Sequence, residues 1–199
     1  MTEGRIGRLL PACLHQAIAD VLPDRVEFYE EWLGSEGLKD RRMGLAPLSA
    51  VLGFLRTEGA AYDGVMTRAG QLAAEWTWAN LPAVRRRLIR RLPRPFRMRA
   101  ALRIARGLVR DVLTTSTASS RVRRGGAQFD VRASLFCTVR EPQAAPLCAF
   151  YRAAAVEVLR ACGIAADGTI EQCRAVGATS CVIAIQSAAG SAEPQAAAA

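Results

Sequence analysis

The chain carries one histidine and one lysine, and no apolar run approaches the length of a membrane span. His15 is alone in an apolar helical stretch and reads as structural, so no histidine pair is available for metal or acid–base chemistry. A span needs about 18 to 20 apolar residues, and none is present. The opening "MTEGRIGRLLPACLHQAIAD" has charged and polar residues where a secretion signal would be apolar, so the expectation is a cytoplasmic protein. The motifs G-x-S-x-G, G-x-x-x-x-G-K-[ST] and G-x-G-x-x-G are missing, which argues against a serine hydrolase, a P-loop enzyme and a dinucleotide-binding dehydrogenase. There is also no Cys-x-x-Cys pair of the kind four-thiolate zinc sites normally use.

What is present is a local excess of arginine. The 199 residues carry 27 Lys and Arg against 18 Asp and Glu, and eleven arginines fall between Arg85 and Arg110. No acid interrupts the chain between Glu75 and Asp111, and the 16 basic residues outside the band face all 18 acids. Two readings stand open: a solvated helix face, or a surface for a negatively charged partner. Among such partners nucleic acid is set aside. Only Phe96 interleaves with the arginines, and no helix-turn-helix or RNP-type motif occurs. An anionic membrane surface fits the 96–110 segment, basic on one face and apolar on the other, although the same apolar face would serve a core equally well.

Hydrophobic periodicity gives helices throughout the first half. Leu9, Leu10, Leu14, Ala17, Ile18 and Val21 recur at helical spacing up to Pro23, and "DRVEFYEEWL" continues from a cap at Asp24 to Gly34. "APLSAVLGFLRTEG" forms a third helix. Tyr62, Val65, Met66, Ala69, Leu72 and Ala73 define the apolar stripe of a fourth. Pro82, Pro93 and Pro95 delimit "PAVRRRLIRRL" and the helix that follows. That helix places Met98, Ala101, Leu102, Ala105, Leu108 and Val109 opposite Arg99, Arg103, Arg106 and Arg110.

After "TTSTASS" the period changes. Gly125-Gly126 marks a hairpin turn before Phe129, Val131 and Ala133, "APLCAFYRAAAVEVLRACG" is helical, and "GTIEQC" and "SCVIAI" flank Gly177 as a second hairpin. The expected fold class is therefore α+β: N-terminal helices packed on a small antiparallel sheet of two hairpins with an intervening helix. The expected domain is 1–186, helical over residues 1–115 and hairpin-helix-hairpin over residues 120–186, followed by a disordered low-complexity tail at 187–199.

Six cysteines without a signal point to reduced, packed thiols. Cys173 and Cys181, four residues either side of Gly177, would face each other across the second hairpin. Directly opposed residues have Cβ atoms about 4.5 to 5.5 Å apart, slightly wide for a disulfide. The sequence assigns no metal and no cofactor. Should a metal bind, the candidates are Cys148, Cys173 and Cys181, with Cys137 and Cys162 joining only if the fold brings them close. Trp32, Trp76, Trp78, Phe54 and Tyr62 are core or the lining of an apolar pocket.

"APLCAFYRAAAVEVLRACGI" and "GTIEQCRAVGATSCVIAI" together resemble the end of the 4-vinyl reductase domain. That family closes with a Pro-x-Cys-x-Phe helix start, a strand ending in Glu-x-Cys or Glu-x-x-Cys, a glycine, and a Cys-x-Phe/Ile strand. The matching positions here are Pro146, Cys148, Phe150, Glu171, Cys173, Gly177, Cys181 and Ile183, within a resemblance covering residues 108–185. The sequence departs from the family in having no aromatic just after Cys181 and no recognisable reductant site. The family shares a superfamily with TRAPP vesicle-tethering subunits and haem NO-binding domains, and the resemblance implies helices against an antiparallel sheet.

The resemblance further implies binding of a small hydrophobic ligand, hydrocarbon or tetrapyrrole, and "GRIG" at 4–7 is similar to the branch associated with bacteriochlorophyll synthesis. The expected function is thus ligand binding, such as a bacteriochlorophyll precursor, with an accessory role in pigment synthesis. The expected ligand-binding residues are Trp76, Trp78, Phe96, Arg99, Arg103, Arg106 and Phe150, the arginines neutralising acid groups. The alternatives are a homodimeric interaction scaffold of the TRAPP-subunit type and a tetrapyrrole vinyl reductase.

Overall fold

A computed structural model describes residues 5–33, 45–123, 125–139 and 141–187. The expected helix stop at Gly34, the Gly4 end of "GRIG" and the tail at 188–199 lie outside the described residues; Ser187 belongs to the last strand. Among the described residues, seven α-helices and four strands follow one another as α1 (Leu9–Val21), α2 (Val26–Leu33), α3 (Leu45–Thr57), α4 (Ala60–Ala79), α5 (Ala83–Arg91), α6 (Arg94–Val112), β1 (Thr117–Arg123), β2 (Gly126–Arg132), α7 (Ala149–Ala161), β3 (Ala166–Gln172) and β4 (Cys181–Ser187). This is the α+β order expected.

The stripes read for α4 and α6 are buried throughout, whereas in α1 Leu10, Leu14, Ala17 and Ile18 are buried, Leu9 is half-buried and Val21, at the helix end, is exposed. In α4, Tyr62, Val65, Met66, Ala69, Leu72 and Ala73 are all buried, and in α6 so are Met98, Ala101, Leu102, Ala105, Leu108 and Val109. Ile104 joins them, which widens the α6 stripe. That apolar face is held in the core, leaving arginines on the outer side. Among the described residues no helix is long and apolar enough to cross a membrane.

Helices α4 and α7 pack extensively, with a close approach made possible at Gly70. A Cβ there would fall on the Phe150 carbonyl oxygen and lie 3.1 Å from the Ala153 Cβ. The small residues let two backbones approach, and dispersion across the contact depends on that approach. The first turn of α7 is thereby fixed against the helical layer, with Phe150 and Tyr151 fully buried beside Phe136.

The sheet is antiparallel in the order β1-β2-β4-β3. The two hairpins join through β2 and β4, where Val131 pairs with Cys181 and Phe129 with Ile183. Ala127, Phe129 and Val131 of β2 and Cys181, Ile183 and Ile185 of β4 are buried, the alternation expected of a sheet covered on one face. Strand β1 begins at Thr117, earlier than its sequence suggested. The last four residues of "TTSTASS" open β1, an edge strand whose side chains are mostly solvated. Ala133, expected in the strand alternation, instead lies beyond β2 with φ at 53° and is exposed. The chain leaves the sheet there and crosses to α7 through a strap whose described residues, 133–139 and 141–147, are irregular.

Candidate functional site: four thiols at the open end of the sheet

The strap carries Cys137 beneath the sheet end through local turn chemistry. The amide of Cys137 donates to the Ser134 carbonyl at 3.3 Å, and the Thr138 hydroxyl donates to the same oxygen at 3.2 Å. From the helical layer, Arg56 Nη2 donates to the Phe136 carbonyl at 3.0 Å. Farther along the strap, the Gln143 amide donates to the Ala175 carbonyl at 2.7 Å.

Cys148 is the N-cap residue of α7, and its carbonyl accepts the amides of Tyr151 and Arg152. Cys173 follows the last residue of β3 and opens a 3-10 turn, Arg174–Val176, that ends in Gly177 at φ 98°. Cys181 is the first residue of β4. Cys173 and Cys181 are therefore not opposed across a ladder, as the symmetry about Gly177 had implied. The β3–β4 pairing ends at Gln172 and Val182, after a bulge, and both cysteines turn inward past that end.

The four sulfurs converge. Cys137 Sγ lies 3.4 Å from Cys173 Sγ and 3.5 Å from Cys181 Sγ, and the four Sγ atoms, with that of Cys148, all lie within 4.8 Å of one another. All four residues are buried, and all six cysteines of the chain are free thiols. The expectation of Cys148, Cys173 and Cys181 as possible donors thus gains Cys137 as a fourth, whereas Cys162 stays apart.

The electrostatics distinguish the four from the remaining two. Hydrogen bonds from Cys137, Cys148 and Cys181, and the Leu147 amide 3.4 Å away, hold the Cys173 thiol well below the ordinary thiol range. Cys137 is held low as well, first by Cys148, while Cys148 and Cys181 are pushed up, each first by its hydrogen bond with Cys137. Close thiols share protons in this way: a thiolate is favoured at the best-donated position and disfavoured at its neighbours. Cys13 and Cys162 lack such donors, and burial pushes them up to about 12 and about 11. Those two are packing residues.

The donor set fits a single tetrahedral metal ion. At a Zn–S distance of about 2.3 Å the edge of a tetrahedron of sulfurs is about 3.8 Å, within the range the four thiols span. Four sulfur donors in that geometry select zinc or iron over hard cations. The Leu147 amide directed at Cys173 is a ready outer-sphere hydrogen bond.

Two cavities flank the strap. The larger, about 670 Å³, lies over Tyr62, Asp63, Arg152, Pro146, Leu147 and Ile170. Its Tyr62 hydroxyl donates to the Leu147 carbonyl at 3.1 Å. The smaller, about 260 Å³, lies between α3, the end of α6 and the strap. Arg56 borders both.

Of the seven residues expected to bind ligand, none lines either cavity. Phe150 is fully buried with its ring 4.9 Å from that of Phe136, and Trp78 is nearly buried beneath the Arg90 guanidinium, 5.5 Å from its centroid. Trp76 is half-buried against the core. Phe96 is exposed with Arg99 stacked at 5.8 Å, Arg103 is exposed, and Arg106 is half-buried. Trp32 and Phe54, read as core or pocket, are 40% and 38% exposed and stack on the surface at 5.4 Å. His15 is held by Glu30 at 2.9 Å, in keeping with a structural role. Arg56 carried no sequence signal of its own; its carbonyl partner lies 80 residues away.

Neither a family model nor a curated protein matches the chain. Among solved structures the chain is similar to the phenol-responsive sensory domain of the transcription activator PoxR, crystallised with phenol. The two share 16% identity at a TM-score of 0.49, over 73% of this chain and 75% of that one.

Proposed function

We propose that this chain is a small-molecule-binding module of the 4-vinyl reductase domain type, stapled by one zinc ion on Cys137, Cys148, Cys173 and Cys181. The observation that carries the metal assignment is the convergence of four buried, free thiols from the strap, a helix N-terminus and two strand ends. Thiols spread over 44 residues of sequence meet at one point, in a set that matches a structural zinc site in donor type, number and span. Such an ion fixes the strap relative to the sheet, and the strap forms a wall of both cavities.

The ligand half of the reading rests on those cavities and on the family resemblance. A tetrapyrrole, the ligand class the resemblance suggests, would have to occupy the wider 670 Å³ cavity. The smaller cavity suits a molecule about one ring in size, because drug-sized ligands take roughly 300 Å³ or more. The arginines of α5 and α6 belong to neither cavity, so Arg99→Gln and Arg103→Gln should leave ligand content unchanged.

The test is elemental analysis and native mass spectrometry of protein purified under reducing conditions from its own host. One zinc per chain, with a stoichiometric small molecule, is the expected result. Protein with no metal and four freely alkylated thiols at this site refutes the zinc assignment, and a ligand-free chain refutes the binding role.

A second reading, a homodimeric interaction module, is favoured by the exposed aromatic group on α2 and α3. Phe28 packs edge-on to Phe54 at 5.3 Å beside Trp32, all three more than a third exposed. A native mass of two chains, lost on Trp32→Glu, would favour it.

A further inference from the structure

The 260 Å³ cavity has a composition that the metal site alone does not explain. Its apolar walls are Leu52 of α3, Leu113 at the end of α6, and Leu135 of the strap, with Leu45 at the rim. Two arginines, Arg56 and Arg174, are among its lining residues, and no acid is among the described ones. A concave site that pairs leucines with two uncompensated cations and no carboxylate is built for an apolar anion.

Arg56 is held ready for such a ligand. One terminal nitrogen is occupied by the Phe136 carbonyl at 3.0 Å, which fixes the plane of the guanidinium. Its Nε is buried with no hydrogen-bond partner. A buried donor without a partner carries a desolvation cost that a bound carboxylate oxygen would remove. Arg174, also a lining residue, stands on the 3-10 turn that follows Cys173. Thr138, the residue after Cys137, is also on the wall. Two of the four thiol ligands are therefore followed directly by residues of this cavity, so the same ion that pins Cys137 and Cys173 sets the positions of Thr138 and Arg174.

We infer that the cavity between α3, the end of α6 and the strap binds a small apolar carboxylate, about one aromatic ring in size, gripped between Arg56 and Arg174. The inference rests on the reading of the chain as a small-molecule-binding module and names its site and ligand class. The carboxylate accepts from both guanidinium groups, and its apolar body lies on Leu52, Leu113 and Leu135. Charge on the ligand is required, because a neutral isostere leaves the half-buried Arg56 without an anionic partner and Arg174 without a charge-assisted hydrogen bond.

Benzoate is the probe, titrated into the full, metal-replete chain by isothermal calorimetry, with benzamide as the neutral isostere and inorganic phosphate as the anion without an apolar body. Benzoate should bind one per chain, and benzamide at least about tenfold more weakly, as expected for loss of a charge-assisted hydrogen bond. Arg174→Gln should weaken benzoate by about tenfold or more while keeping its zinc and its melting temperature, since that side chain is exposed. Arg56→Gln should do the same; should it fail to fold for want of the Phe136 bond, Arg174→Gln alone decides. Removing the zinc with a chelator should weaken benzoate binding in the wild type.

Equal affinity for benzoate and benzamide overturns the inference, as does full benzoate affinity in Arg174→Gln. Phosphate binding as tightly as benzoate overturns its apolar half. If benzoate does not bind but an apolar molecule copurifies from the host, the module reading stands and this site assignment fails. If benzoate binds through both arginines to a chain that holds no zinc, the inference stands and the metal assignment fails.

Discussion

Cys137→Ala removes one donor from the proposed zinc site and leaves the other three in place. Such an ion would close the chain between Cys137 and Cys173, a separation of 36 residues. Cross-linking a loop of that length restricts the unfolded chain by about 4 kcal/mol in the chain-entropy model. Without a metal, the same substitution trims one buried thiol from a packed site, which costs about 1 kcal/mol. For a chain of this size each kcal/mol moves the melting temperature by roughly 2–4 °C. A zinc clip therefore predicts a fall of about 8–16 °C, against about 2–4 °C for packing alone. Differential scanning calorimetry measures the shift, with zinc content determined on the same sample. Cys13→Ala is the control: its thiol is equally buried but lies in α1, away from the cluster, so it should keep its zinc and lose only the packing share. Chelation of the wild type should reproduce the Cys137→Ala loss. A wild type whose melting is indifferent to a strong chelator, together with equal shifts for Cys137→Ala and Cys13→Ala, refutes the reasoning.

Gly70→Ala should destabilise by about 1–3 kcal/mol, because its new methyl meets the Phe150 carbonyl across the α4–α7 contact; urea denaturation reads this directly. Gly177→Ala meets no atom within 4 Å, so its cost of about 1 kcal/mol is purely that of holding φ at 98°, and Gly177→Asn should recover some of it. Leu88→Asp on the outer face of α5, 62% exposed, should change stability by less than about 0.5 kcal/mol. Competition against a chromogenic chelator should show zinc held more weakly at pH 6 than at pH 8, since thiols must lose protons to ligate.

The helical layer was legible because its helices bury a single stripe. In α4 and α6 the 3.6-residue period is a direct image of which side chains meet the core. The hairpins were legible from glycine and alternation, but the edge strand β1 started earlier than read, since a strand solvated on its outer side needs no apolar signal. The thiol site was legible only in pieces. Cys173 and Cys181 share a hairpin, but Cys137 sits in an irregular strap whose path depends on β2 pairing with β4. No spacing rule joins four donors that come from one strap, one helix cap and two strand ends. Arg56 was invisible for a similar reason: within α3 it is one more polar residue, and its role comes from the strap that folds over it. Trp32 and Phe54 show the converse failure, since residue type suggested burial where the fold exposes them.

The α4–α7 contact has a consequence for how the chain is made. The face of α4 around Gly70 is covered by α7, which is encoded roughly 80 residues later. At about 5–20 residues per second, a ribosome leaves that apolar face bare for roughly 4–16 s after α4 has emerged. The helical half therefore cannot finish its core as it is synthesised, and its sticky interval ends only when α7 arrives and docks.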